Sequence, residues 1–247
     1  MTMQIKLKKI RQKIDQIDKD LIFLLENRMA LVKEVSELKK DNPNICFVKA
    51  VREAEMVNNL MNSTNKISKI TIFQIWREII SLSLQTERSF SVNLFLDSKT
   101  IEKNKRLVRE YFSALSKINI FDTKYLEKNT HKVEDIIICD RSNSDQFKFL
   151  LKNPNYKIFA RLPDIDPDNS QTSNLNAIAK VEDHLEDLER VVISSKEKIN
   201  VNNKTKFIKI SYDNSDYYVY ELGQKEYLNI KDKYQILIFG GFAEVFT

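Results

Sequence analysis

From Leu7 to Leu38 the apolar residues recur at steps of three and four: Leu7, Ile10, Ile14, Ile17, Leu21, Leu24, Leu25, Leu31, Val32, Val35 and Leu38. No Gly or Pro interrupts them, so the pattern predicts one helix over residues 4–40, roughly 55 Å long at about 1.5 Å per residue. A stripe of that length outruns what one small domain can cover and calls for a partner helix. Asp41-Asn42-Pro43-Asn44 is expected to stop it. A second helix is predicted from about Lys49 to Met61, followed by a turn at Ser63-Thr64-Asn65. Ser68 then reads as the N-cap of a third helix ending near Arg88. The inner face of this helix is expected to hold Ile72, Phe73, Ile75, Trp76, Ile79, Ile80, Ser83, Leu84 and Glu87.

The pattern changes at Ser89. Ser91–Leu96 alternates as a strand does, Thr100–Leu115 reads as helical, and Asp135–Cys139 is a short apolar strand. Ser144–Lys152 is predicted helical and Tyr156–Leu162 a strand, with a polar loop over Pro163–Asn174. Further strands are expected at Arg190–Ile193, Phe207–Ile210, Tyr217–Leu222 and Tyr234–Phe239. The fold class expected is an all-α unit over residues 1–89, with three helices forming an intertwined dimer, and an α/β or α+β domain over residues 90–247.

Composition narrows the function classes. A chain of 247 residues suffices for two small domains. No apolar run is long enough to span a bilayer, and Met1–Arg11 is basic and amphipathic, unlike a signal peptide; a cytoplasmic protein with no membrane partner is expected. Cys46 and Cys139 lie far apart and read as two inert thiols. The two histidines, His131 and His184, are too scattered for a metal site, so no metal is expected. Only three glycines are present, Gly223, Gly240 and Gly241, too few for a phosphate-cradling or dinucleotide loop. The net charge of +5 is spread over interleaved acids and bases, which speaks against a nucleic-acid partner.

The first helix carries cations where an ordinary coiled coil would not. Arg28 sits on the stripe of Leu21, Leu25, Val32 and Val35. Lys39, eleven residues on, is rotated by only about 20° and lies roughly 16 Å away, so the two share a face. Arg11 is about 100° around the same helix from Arg28, which suits a site on a partner chain lying alongside better than one on its own chain. The third helix offers one acid, Glu87, and the second offers Arg52-Glu53. Cations in an apolar seam are costly unless paired. Arg28 alone reads as an edge residue with a snorkelling stem. The whole set of three cations and two acids makes a site for a small dianion competitive with that reading.

Residues 7–39 run L-K-K-I-R-Q-K-I-D-Q-I-D-K-D-L-I-F-L-L-E-N-R-M-A-L-V-K-E-V-S-E-L-K. This resembles the first helix of the all-helical chorismate mutases, in which R-x-x-I-D-x-I-D leads to L-L-x-x-R and then V-x-x-x-K. Arg52-Glu53 resembles the pair that opens that family's second helix, and Ile79-Ile80-Ser81-x-Ser83 its third. The resemblance covers roughly residues 5–88. It implies a homodimer that converts chorismate to prephenate without a cofactor. It further implies that Arg11, reaching across from the partner subunit, and Arg28 hold the substrate's two carboxylates. Lys39 would contact the ether oxygen and a carboxylate, Glu53 would bind the hydroxyl, and Glu87 would face the ether oxygen; Arg52 accompanies Glu53 in the substrate-binding set. Where the family often has an acid ahead of the Arg-Glu pair, this chain has Lys49, which is not counted as a site residue.

The residue types suit the implied chemistry. A unimolecular pericyclic step needs no nucleophile, metal or redox group. It needs a dianion held in its compact conformer and negative charge stabilised on the breaking ether oxygen. Guanidinium forks serve the first need and a lysine the second. A carboxylate facing that oxygen would repel the developing charge and can donate a hydrogen bond only when protonated. Activity is therefore expected to fall as Glu87 ionises, unless Glu87 simply pairs with Arg28 or Lys39.

Beyond residue 90, Asn203-Lys204-Thr205-Lys206-Phe207 faintly resembles the N-x-T-R-F motif of prephenate dehydratases, with Lys for Arg, but that family's glycine-rich opening and E-N-S segment are missing. A divergent domain that stabilises or regulates the mutase is the expectation, and its late strands resemble an amino-acid-sensing fold by analogy only. Two rivals stand beside the mutase reading: a bifunctional mutase–dehydratase, and a non-catalytic helical dimerisation module with a C-terminal binding domain.

Overall fold

The computed structural model describes residues 3–39, 48–114, 116–128, 131–132, 134–162, 175–181, 185–201 and 206–243. The uninterrupted apolar period produces helix α1, Met3–Lys39. Helices α2, Ala50–Asn62, and α3, Lys69–Glu87, follow. Ser68 caps α3 as expected, its side chain accepting from the Thr71 amide at 3.1 Å. The stop expected at Asp41–Asn44, Cys46, His184, the loop over Pro163–Asn174 and residues 203–205 of the dehydratase-like motif lie outside the described residues.

No residue of α1 is buried within the chain. Its C-terminal half rests on α3 through half-buried Leu25, Arg28, Met29, Val32, Ser36 and Lys39. Its N-terminal half stands clear, with Ile14 51% and Leu24 61% exposed. The buried arc of α3 is rotated from the expected one. Ile75 is exposed, and Arg77 and Ser81 are buried in its stead, because helix α4 (Ile101–Phe112) lies on that side and both side chains donate to the Tyr111 carbonyl.

The C-terminal part is built on a mixed nine-stranded sheet among the described residues, formed by β1 (Ser91–Phe95), β2 (Lys117–Phe121), β3 (Ile136–Asp140), β4 (Tyr156–Leu162), β5 (Leu175–Lys180), β6 (Arg190–Ser195), β7 (Phe207–Tyr212), β8 (Ser215–Gly223) and β9 (Ile236–Phe242). Helices α4 (Ile101–Phe112), α5 (Asp145–Lys152) and α6 (Gln224–Ile230) connect them. The strand order is β2-β1-β3-β5-β4-β9-β6-β8-β7. β1 runs parallel to β2 and β3, β5 is antiparallel between β3 and β4, and β6, β8 and β7 form an antiparallel edge. The C-terminal part is thus α/β, behind an all-helical N-terminal part.

Three elements escape the sequence pattern. β2 is a half-exposed edge strand of only five residues, K-I-N-I-F, too short for its alternation to stand out. β5 has the helix-favouring Ala177 and Ala179, here buried in mid-sheet where small side chains suit close packing. α6 is only seven residues long. Conversely, α4 stops at Phe112 rather than Leu115, because Ser113 turns to φ 77°, outside any right-handed helix.

Two of the chain's glycines mark the seam between the sheet's halves. β4 and β9 meet in parallel at Ile158 and Gly240. A Cβ on Gly240, whose φ is 151°, would lie 2.0 Å from the Ile158 carbonyl oxygen, and one on Gly241 would lie 2.0 Å from that of Leu185. No side chain fits either approach.

The apolar core runs without a break from α2 and α3 into the sheet: Val57, Met61, Phe73, Ile80 and Leu84 belong to one cluster with Val92, Leu94, Leu107, Phe112 and Ala177. Among the described residues no helix is long and apolar enough to cross a membrane.

Candidate active site

The facing ends of α1, α2 and α3 enclose a cavity of about 390 Å³. Arg28 and Lys39 reach it from α1, because eleven residues return a helix to within about 20° of the same direction. Arg52 and Glu53 reach it from the first turn of α2, and Ser83 and Glu87 from the last turns of α3. Five of the six residues expected to form a site therefore line one cavity. The sixth, Arg11, lies on the exposed half of α1, away from it. Lys49, left out of the expected set, lines the cavity as well.

The polar contacts are specific. Lys39 Nζ donates to Glu87 Oε2 at 2.6 Å, and Ser36 Oγ donates to the Glu87 carbonyl at 3.2 Å. Arg28 Nη1 donates to Ser83 Oγ, which passes its own proton to the Ile79 carbonyl at 2.7 Å. Burial, and then the nearby charge of Arg52, lower the Arg28 guanidinium from its ordinary value. Four cations, Arg28, Lys39, Lys49 and Arg52, stand against two carboxylates, Glu53 and Glu87, around the cavity. An anion entering it would relieve that repulsion.

Glu53 has a partner that periodicity did not single out. Its Oε2 accepts from Arg77 Nη1 at 3.2 Å. Arg77 is 3% exposed, donates through Nε to the Tyr111 carbonyl at 3.2 Å, and stacks 3.8 Å above the Tyr111 ring. Tyr111 belongs to α4, so a residue of the C-terminal part holds the arginine that holds Glu53. Burial raises the Tyr111 phenol from its ordinary value. The signal available in the sequence was an arginine inside the apolar run Ile72–Ile80, a place where a cation requires a partner. Ser83 was placed on the inner face, though not as the acceptor for Arg28.

The family model described as "Chorismate mutase type II" matches residues 10–88. A curated relative, the "Bifunctional chorismate mutase/prephenate dehydratase" of Aquifex aeolicus (strain VF5), is 30% identical over 91 residues, covering 35% of this chain. The match spans 25% of that relative's own length. No solved structure matches the chain. The cavity between the three helices lies inside the matched segment, and over residues 10–88 the chain carries a chorismate mutase type II domain.

Proposed function

We propose that this chain catalyses the rearrangement of chorismate to prephenate in the cavity between α1, α2 and α3. The observation that carries this reading is the gathering of Arg28, Lys39, Arg52, Glu53 and Glu87 around one small space with cations in excess. Chorismate is a dianion, so surplus guanidinium and ammonium charge serves its binding. Arg28 grips one carboxylate in place of its contact with Ser83. Lys39 faces the ether oxygen, where negative charge builds as the C–O bond breaks and the new C–C bond forms. Glu53, steadied by Arg77, accepts from the substrate hydroxyl. Holding the dianion compact supplies the orientational part of the rate.

The working unit is a homodimer. α1 buries no residue within its own chain, and an amphipathic helix draws most of its stability from packing its apolar face. A second copy lying along it covers Ile10, Ile14, Ile17, Leu21 and Leu24, and brings its Arg11 to the other subunit's cavity. The Aquifex relative's printed name also includes prephenate dehydratase, so a second reading is conversion of prephenate to phenylpyruvate with loss of water and carbon dioxide, for which product analysis is the discriminating assay.

The test is loss of chorismate absorbance with purified full-length protein beside Arg28→Ala. Turnover should fall at least about a hundredfold in the variant, the scale seen when one transition-state donor is removed, while its sedimentation remains that of a dimer. A wild-type chain without turnover from acid to neutral pH would overturn the proposal and leave the helices as a dimerisation scaffold.

A further inference from the structure

A second cavity, of about 520 Å³, opens in the C-terminal part, on the face formed by β4, β5, β6 and β8. Its floor is an unusual charge arrangement, three guanidinium groups converging on one carboxylate. Glu221 Oε2 accepts from Arg161 Nη1 at 2.6 Å and lies 3.0 Å from Arg141 Nη2, while Oε1 accepts from Arg190 Nη2 at 3.1 Å. Arg161 is fixed further by Asn176 Oδ1, which accepts from its Nε at 3.3 Å and its Nη2 at 3.1 Å. Asn176, 1% exposed, donates in turn to Gln146 Oε1 at 2.8 Å. Gln146, 0% exposed, donates to three backbone carbonyls, those of Asp140, Arg141 and Asn143. The buried amides thus lock the central guanidinium in place and pin the turn that carries Arg141.

Such a network is dear for a fold to keep as mere packing. Burial alone would raise the Glu221 carboxyl, yet the arginines, Arg161 foremost, hold it below the ordinary carboxylate range. Arg161 is lowered by burial and then, beyond what Glu221 restores, by Arg141 and Arg190. Glu221 is thus shared among three guanidiniums. Around the whole cavity four cations, with Lys206 the fourth, face two carboxylates. The remaining wall is apolar and aromatic, including Phe147 and Phe207.

We propose that this cavity binds a small organic dicarboxylate, with its carboxylates on the arginine cluster and its hydrocarbon body against the aromatic wall. Arg141 is the gripping residue: its side chain is 43% exposed at the rim, with one nitrogen on Glu221 and the planar fork open to solvent. Arg161, at 12%, is the fixed charge beneath. The volume suits a molecule of this kind, and the site is independent of the mutase cavity, sharing none of its lining.

The test is isothermal titration of the full-length chain with phenylsuccinate, benzoate and inorganic phosphate, for wild type, Arg141→Ala and Arg28→Ala. Phenylsuccinate should bind with one site per chain, more tightly than benzoate or phosphate. The affinity should drop at least about tenfold in Arg141→Ala, the scale of a lost charge-assisted hydrogen bond. It should be unchanged in Arg28→Ala, which separates this site from the mutase cavity. Arg141 sits at the rim, so the variant should melt as the wild type does. A parallel Arg141→Lys variant, keeping charge without the fork, should recover only part of the affinity. Absence of saturable phenylsuccinate binding, binding indifferent to Arg141, or phosphate binding as tight as phenylsuccinate would each overturn the proposal. If prephenate in a parallel titration of Arg28→Ala binds more tightly than phenylsuccinate, the dicarboxylate is the mutase's own product.

Discussion

α1 carries a long apolar stripe and β3 a short apolar run, and the two end in opposite surroundings. Ile136, Ile137, Ile138 and Cys139 of β3 are 0% exposed, whereas Ile10, Ile14, Ile17, Leu21 and Leu24 of α1 are each more than half exposed. β3 is covered on both faces by its own chain: Ile136 and Ile138 share a core with α2 and α3, and Ile137 and Cys139 pack on the other side. Among the described residues, α1 rests chiefly on α3, beneath its C-terminal half. The difference teaches that the segment with the legible chemistry is the one that cannot bury itself, while the self-sufficient core lies in the part whose chemistry the sequence hides. On the proposed reading, catalysis by the helices depends on two supports, a second copy along α1 and the C-terminal part behind α2 and α3.

The sharpest way to break this contrast is to remove the second support. A fragment of residues 1–89 would bare Val57, Met61, Phe73 and Leu84 on the side now covered by α4 and the rest of the C-terminal part. At about 1.5–3 kcal/mol for each fully buried large side chain, that loss is comparable with the whole net stability of a typical domain, about 5–15 kcal/mol. The fragment is expected to show no cooperative melt and no chorismate turnover, where the full chain shows both. A fragment that melts cooperatively and turns over at the full-length rate would make residue 89 a boundary of independent folding and dissolve the contrast.

A smaller change probes the same dependence at one side chain. Arg77 joins Glu53 of the mutase cavity to Tyr111 of α4. Arg77→Met keeps most of the volume and removes the guanidinium, leaving the Glu53 carboxylate without that cation. With Glu53 binding the substrate hydroxyl as proposed, the expected result is a KM about tenfold higher with kcat within about threefold, since ground-state and transition-state binding weaken together. A lower melting temperature with KM unmoved would make Arg77 a purely structural link, and Arg77→Lys should restore part of KM if the charge is what positions Glu53.

How much of this was legible varies with the physical signal. The helices α1, α2 and α3 were readable within a residue or two because period, cap and breaker agree, as Ser68 shows. The convergence of Arg28, Lys39, Arg52, Glu53 and Glu87 was legible because helical spacing and family resemblance point to the same residues. Arg77 was hidden, since its burial is set by α4, a helix that follows in a separate part of the chain. The same holds for Ile75, whose exposure follows from which side of α3 that helix covers. In the C-terminal part β3 and β4 announced themselves as apolar runs, while β5 was masked by alanines whose strand conformation only tertiary packing dictates. The arginine cluster on Glu221 was illegible for a related reason: Arg141, Arg161, Arg190 and Glu221 come from four separate segments, and no spacing in the sequence brings them together.

The smallest expected effect concerns the one acid of α3 that faces the cavity. Glu87 accepts from Lys39 at 2.6 Å, the pairing that competes with an ether-oxygen role for both residues. As a carboxylate it draws Lys39 away from the substrate and repels charge growing on the ether oxygen. A neutral amide in its place releases Lys39 and can donate to that oxygen. Glu87→Gln should therefore raise kcat/KM at neutral pH a few-fold above wild type, with Lys39 left to the substrate. An unchanged kcat/KM would show that the Lys39–Glu87 pair acts only as a tether between α1 and α3. In that event the variant's melting temperature, lowered by the loss of one part-buried ion pair, is where the substitution would register.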